Sequence, residues 1–208
     1  MQIQPNDLLL IIDVQNDFCP GGALAVADGD AVVPVINRLI ERFDHVVLTQ
    51  DWHPSGHSSF ASSHPGAAPF ETIAMPYGPQ TLWPDHCVQG TTGAEFHPDL
   101  QLPSETTVVS KGMDPDDDAY SCFQGETSDG MPFAAALGER GAGRLFIGGL
   151  ATDYCVKATA LDALKEGFEV VVLADAVRAV DVTPGDGERA LAAMQQAGAR
   201  LVRLDDLG

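Results

Sequence analysis

Apolar positions along the chain fall into two alternating patterns. Residues 8–13, "LLLIID", form a continuous apolar run that closes on an acid, and 45–51 "HVVLTQD", 106–111 "TTVVSK", 144–149 "RLFIGG", 169–175 "EVVVLAD" and 199–204 "ARLVRL" are runs of the same kind. Short runs rich in β-branched residues suit parallel strands buried on both faces. Between them the period lengthens. Within 30–43, Val32, Ile36, Leu39, Ile40 and Phe43 recur at helical spacing, with Pro34 in the first turn. Residues 131–141, 155–166 and 187–198 predict three further helices. The alternation predicts an α/β fold, three-layer α/β/α, with a mainly parallel, doubly wound sheet of about six strands. Neither a repeat nor a linker interrupts it, so residues 1–208 are expected to form one domain.

One stretch departs from both periods. Residues 52–105 are rich in Pro, Gly, Ser and His, and five of the six histidines, His53, His57, His64, His86 and His97, lie there. A loop of this length inside a compact domain is uncommon and is usually functional. Phe60, Phe70, Trp83 and Phe96 argue for order, since disordered segments are poor in aromatics. The segment is therefore expected to act as a lid or binding loop.

Charge narrows the partners. Thirty acidic residues against 11 basic ones give a formal charge of −19, which repels nucleic acid and anionic membrane surfaces. No apolar run is long enough to span a bilayer, and "MQIQPNDLLLIIDVQ" lacks the basic start and cleavage site of a signal peptide. Cys19, Cys87, Cys122 and Cys155 show no paired spacing, which predicts free thiols in a cytoplasmic protein.

In open α/β sheets, chemistry gathers at the carboxyl ends of strands. Three reactive side chains sit at such ends: Asp13, Lys111 and Cys155. In "LATDYCVKAT" (150–159), Thr152 or Asp153 is a candidate N-cap, which puts Cys155 in the first helical turn, where backbone N–H groups favour a thiolate. Taken singly, each has a plainer role: a turn cap, a solvated charge, a buried packing residue. Taken together they suit acyl transfer, with Cys155 as nucleophile, Asp13 as its base and Lys111 as the compensating charge. Backbone N–H groups of Ala151 and Cys155 are candidates for an oxyanion hole, and Gly148 and Gly149 ease a tight turn before it. A second cluster begins at "QDWHPSGH", where Asp51 and His53 share one side of an extended chain and His86 returns to complete a site. Its mixed N and O donors suit Zn²⁺, Fe²⁺ or Mn²⁺, although a His-rich loop is also ordinary polar surface.

"IIDVQNDFCPGGALAV", "TQDWHPSGHSSFA", "LWPDHCVQGTTGAEFHPDL", "SKGMDPDDDAYSCF" and "GGLATDYCVKATALDA" occur in that order. In these motifs the chain resembles bacterial nicotinamidases of the isochorismatase-like (cysteine hydrolase) superfamily over essentially its whole length. The resemblance implies the isochorismatase-like hydrolase fold and hydrolysis of nicotinamide to nicotinic acid and ammonia in NAD salvage, with pyrazinamide as a second substrate. It implies Asp13, Lys111 and Cys155 as the catalytic triad and Asp51, His53 and His86 as ligands of one divalent metal ion, with His57 as an additional candidate. It implies Phe18 and Trp83 as the aromatics that sandwich the pyridine ring, Tyr120 beside the pocket, and a cis Leu150–Ala151 peptide at the oxyanion hole. Members of the family include monomers and larger assemblies, so a homo-oligomer stays open. Ala119, where many relatives carry serine, and Cys122 depart from the pattern without replacing a named group. Other hydrolases of the superfamily, acting on isochorismate or carbamoyl compounds, generally lack the Asp51, His53 and His86 set; a catalytically dead module would have lost a triad member.

Overall fold

In a computed structural model describing residues 1–104 and 106–208, the chain folds as β1 (Asp7–Ile12), α1 (Val33–Ile40), β2 (His45–Asp51), β3 (Thr72–Met75), β4 (Gly78–Thr81), β5 (Thr107–Lys111), β6 (Glu126–Thr127), α2 (Phe133–Glu139), β7 (Arg144–Leu150), α3 (Lys157–Lys165), β8 (Glu169–Arg178), α4 (Asp186–Ala197) and β9 (Arg200–Val202). The main sheet runs β6-β5-β2-β1-β7-β8-β9. Its six longer strands are parallel, as the apolar runs predicted; the seventh, β6, is a two-residue antiparallel edge too short to leave a periodic signal.

β1 lies at the centre because both of its faces are apolar. Leu9 and Ile11 enter one core with Ile36, Leu39 and Ile40 of α1, while Leu8, Leu10 and Ile12 enter the other with Phe133 and Leu137 of α2, Ala160 and Ala163 of α3, and Met194 of α4. This period-two division makes three layers. Chain order reverses between β1 and β7, so the crevice past their carboxyl ends is the topological switch point, where ligands of open sheets bind. At that point β1 and β7 approach so closely that a Cβ on Gly149, which has φ of +117°, would stand 2.0 Å from the carbonyl oxygen of Ile12.

Several boundaries move. The helix expected over 30–43 begins with a 3₁₀ turn at Gly29–Val32, and Phe43 stays in the core beyond the end of α1. The helix expected from Cys155 is preceded by a wide π-type turn, Thr152–Val156, in which Val156 N–H donates to the Ala151 carbonyl at 3.1 Å. β8 continues to Arg178 past a register shift opposite β7. Within residues 52–104, β3 and β4 form a separate antiparallel pair, and Phe60, Leu82, Trp83, Cys87 and Ala94 are buried; of the aromatics that argued for order, Phe60 and Trp83 are buried, Phe96 is half-buried and Phe70 is exposed.

Candidate active site

The site starts from a register. Asp51 and Lys111 are paired positions at the ends of the adjacent parallel strands β2 and β5, so their side chains leave the sheet together and form a buried ion pair. One strand further on, Asp13 follows β1 with φ of 45°, in the left-handed region that non-glycine residues seldom occupy, and its Oδ2 lies 2.9 Å from Lys111 Nζ. Thr49 holds the other oxygen: its hydroxyl donates to Asp13 Oδ1 at 2.5 Å and accepts from Asp13 N–H at 3.2 Å. Cys155 arrives on the π-type turn after β7, and Lys111 Nζ donates to its Sγ at 3.4 Å and to the Ala119 carbonyl at 3.3 Å. Asp13, Lys111 and Cys155 are all buried, and they meet as their positions at strand ends predicted.

The electrostatic setting pulls against the helix-terminus effect. Burial and the nearby carboxylates of Asp13 and Asp51 hold the Cys155 thiol well above its ordinary pKa, outweighing Lys111. Burial likewise raises Asp13 against the pull of Lys111. Burial opposes charge on Lys111, but Asp13, Asp51 and Cys155 more than offset it and keep the ammonium protonated. Burial thus opposes charge on both the Cys155 thiol and the Asp13 carboxyl, against the thiolate that a helix terminus favours. Capping is also reassigned. Neither Thr152 nor Asp153 caps the turn; the Asp153 carboxylate faces the other way and accepts from Val180 and Asp181 N–H groups at 3.0 and 2.9 Å.

Asp51, His53 and His86 come together beside this group, with potential ligand atoms within 4.8 Å of one another and all three residues buried. His53 Nδ1 donates to the Gly112 carbonyl at 2.9 Å and His86 Nδ1 to the Pro84 carbonyl at 2.8 Å. A carbonyl partner fixes the proton on Nδ1 and leaves each Nε2 as an electron-pair donor, as in histidines that bind a metal. His53 Nε2 is 3.7 Å from Asp51 Oδ2. Burial opposes the charge on Asp51, yet Lys111 and His53 hold its carboxyl below the usual range. A carboxylate and two such imidazoles fit a divalent cation. Space for His53 depends on Gly112, at φ of +65°, where a Cβ would meet the ring at 2.4 Å. The His57 ring lies 4.4 Å from that of His53, tilted by 42°, and His53, His57 and Asp118 form a second group of potential ligand atoms within 4.8 Å of one another; the His57 nitrogens also lie 2.8 Å from Ser59 Oγ and 3.3 Å from the Asp117 carbonyl. His64 binds the Ser58 carbonyl instead, and the His97 ring accepts from Asp99 N–H.

Cys155 of the first group and Asp51 and His86 of the second line one small cavity of about 20 Å³. Phe18, Trp83 and Tyr120 line it, as do Asp51, His86 and Cys155. Ala151 completes the edge next to Cys155, after a cis Leu150–Ala151 peptide. Tyr120 OH accepts from Trp83 Nε1 and Gln80 Nε2, each at 3.1 Å, which fixes the aromatic wall. Leu24, Tyr154 and Val180 also line the cavity and carry no clear sequence signal, save that Tyr154 adjoins Cys155. Gln15 and Phe60 are equally unmarked as site residues in the sequence. The Gln15 amide pairs with the backbone of Asp51, accepting at 2.9 Å and donating at 2.8 Å, and Phe60 packs among His53, His57 and His86. Ala119 enters through its carbonyl alone, and Cys19, Cys87 and Cys122 are buried free thiols.

Residues 7–206 match the isochorismatase domain family model. A nicotinamidase of Acinetobacter baylyi is 51% identical over 180 residues, covering 85% of this chain and 83% of that protein. The solved nicotinamidase and pyrazinamidase of Acinetobacter baumanii superposes with a TM-score of 0.90 at 47% identity, covering 98% of each chain. The pyrazinamidase of Pyrococcus horikoshii, solved in complex with zinc, gives a TM-score of 0.79 at 42% identity over 96% of this chain and 99% of that one. With the fold, the strand-tip thiol and these likenesses in agreement, the chain belongs to the isochorismatase domain family.

Proposed function

We propose that the protein is a nicotinamidase, a cysteine-dependent amidase that converts nicotinamide to nicotinic acid and ammonia in NAD salvage and also cleaves pyrazinamide. The observation that carries this reading is Cys155 on an aromatic-walled cavity that Asp51 and His86 also line, with Lys111 bonded to its sulfur and to Asp13 behind it. The nicotinamidases among its relatives support the substrate.

Phe18 and Trp83 hold the ring, with Tyr120 bracing Trp83. Asp51, His53 and His86 hold one divalent cation, of which Zn²⁺, Fe²⁺ and Mn²⁺ suit the donors; the zinc complex of the Pyrococcus protein supports zinc. When bound, that cation supplies a Lewis-acidic anchor for the ring nitrogen. His57 stays an additional candidate ligand, since it joins His53 and Asp118 in a second group whose donors suit a cation.

Asp13 takes the Cys155 proton as Sγ attacks the carboxamide carbon, so charge separation is confined to the reaction itself. The N–H groups of Ala151 and Cys155 stabilise the oxyanion. Asp13 then gives the proton to the departing nitrogen, ammonia leaves, and a thioester remains on Cys155. Water attacks the thioester while Asp13 accepts its proton, and nicotinic acid leaves as the proton returns to sulfur. Lys111 stays charged throughout and balances whichever neighbour carries the negative charge.

The whole chain is read as one catalytic domain in which residues 52–105 supply the metal site and lid. Its four free thiols support a cytoplasmic location; among the described residues no helix is long and apolar enough to cross a membrane. Ammonia release measured on nicotinamide, pyrazinamide and benzamide tests the proposal. The first two are expected to turn over, and benzamide, which lacks the ring nitrogen, at least about tenfold more slowly. No release from nicotinamide would overturn the assignment, and equal turnover of benzamide would remove the anchoring role of the ring nitrogen.

A further inference from the structure

Asp153 is a buried carboxylate that the reaction above does not use. It lies two residues before Cys155 in the same π-type turn, and its oxygens accept from the backbone N–H groups of Val180 and Asp181 at 3.0 and 2.9 Å. Charge-assisted bonds of this kind are among the stronger ones, and removing the acceptor leaves two partly buried donors without partners. Val180 lines the substrate cavity and packs against the core cluster that contains Phe18, Leu150 and Ala151. The connection between β8 and α4 is tied at its other side too, since Asp181 Oδ1 accepts from Gly187 N–H at 2.7 Å in the first turn of α4. Beyond these ties Val182 is exposed. A single turn therefore carries the nucleophile and anchors a wall of the cavity that the nucleophile faces.

We propose that Asp153 is a positioning residue for substrate selection, which holds Val180 against the cavity and so limits the size of the ring carboxamide that reaches Cys155. The proposal rests on the nicotinamidase reading and deepens it: the selected class is small, unsubstituted six-membered heteroaromatic carboxamides. Asp153 touches no reacting atom. Its effect passes through the backbone of residues 180 and 181.

The test compares steady-state ammonia release from nicotinamide and from 5-methylnicotinamide by the wild-type enzyme, Asp153→Asn, Val180→Ala and the double variant. Asparagine keeps the size but confronts one of the two N–H donors with an NH₂ group. Expected for Asp153→Asn is a rise of about tenfold in KM for nicotinamide with kcat within about twofold, and a kcat/KM ratio shifted toward the methylated amide. Val180→Ala is expected to reproduce both changes, and the double variant to be no worse than the more affected single one, because one interaction is removed twice. Overturning results are an equal fall in kcat for both amides in Asp153→Asn, unchanged KM and preference in Val180→Ala, or multiplicative effects in the double variant. Should Asp153→Asn fail to fold, Val180→Ala still decides whether this wall selects the substrate. Wild-type enzyme inactive on nicotinamide would overturn the parent reading and this one together, whereas an active wild type with unaltered variants overturns only the role of Asp153.

Discussion

The triad and the metal-ligand group stand side by side but are built by different means. Asp13, Lys111 and Cys155 project from the ends of β1 and β5 and from the turn after β7, three neighbourhoods fixed by the ladder of a parallel sheet. His53 and His86 come from residues 52–104, which have little regular structure and are held by single interactions: ring nitrogens on carbonyls, Gln15 on the Ala94 carbonyl, Phe60 among the imidazoles. The sheet-borne group inherits its geometry from the fold, while the loop-borne group has to be assembled contact by contact. Lys111 connects the two, since it pairs with Asp13 on one side and Asp51 on the other. Under the proposed function, substrate orientation and nucleophile activation thereby share one buried charge.

If the two groups are separable, removing one should spare the other. Cys155→Ala is expected to lower amide hydrolysis by at least about 10³-fold. Its metal content, read by inductively coupled plasma mass spectrometry, should match wild type; loss of metal would break the comparison by making the thiol part of the metal site.

His86→Ala works from the other side. Bound metal should fall and turnover of nicotinamide should drop about 100-fold, the scale of a misplaced substrate, while the rate of Cys155 alkylation stays near that of wild type. The same residue gives a pH signature in chelator-treated protein. Burial, with His53 beside it, holds the His86 imidazole down at about 4 against 6.5 for the free side chain. An unfolded chain takes up a proton over that range that the folded chain refuses, so the His86 contribution is present above 6.5 and is lost as pH falls toward about 4. The melting temperature should decline across the window, and His86→Gln should flatten the decline.

The smallest effect is expected at position 119. Ala119 reaches Lys111 through its carbonyl, which any residue supplies, so Ala119→Ser should leave kcat/KM within about twofold. A larger change would show that this side chain shapes the cavity.

Much of this arrangement is legible in the order of the amino acids. Continuous apolar runs ending in Asp13, Asp51 and Lys111 place reactive groups at strand ends, since strand period and parallel topology are local properties with a known spatial consequence. Asp51, His53 and His86 stand out in their motifs, and the order of residues 52–104 is signalled by Phe60 and Trp83, which are buried. The short strands β3, β4 and β6 are not legible, because two to four residues carry no period. Gln15, Phe60 and Val180 are equally silent, as their importance lies in partners distant along the chain.

What the sequence determined by itself was the layered fold, the strand ends and the identity of the reactive groups, all of which follow from nearest-neighbour pattern. The tertiary structure alone decided their charge and their alliances. Burial, with two carboxylates set against one ammonium, raises the Cys155 thiol above its ordinary pKa. Asp153 grips the cavity wall instead of capping its own turn because the chain from 180 to 181 passes there. Desolvation and Coulomb energy depend on what gathers within a few ångströms, and only the completed fold sets that company.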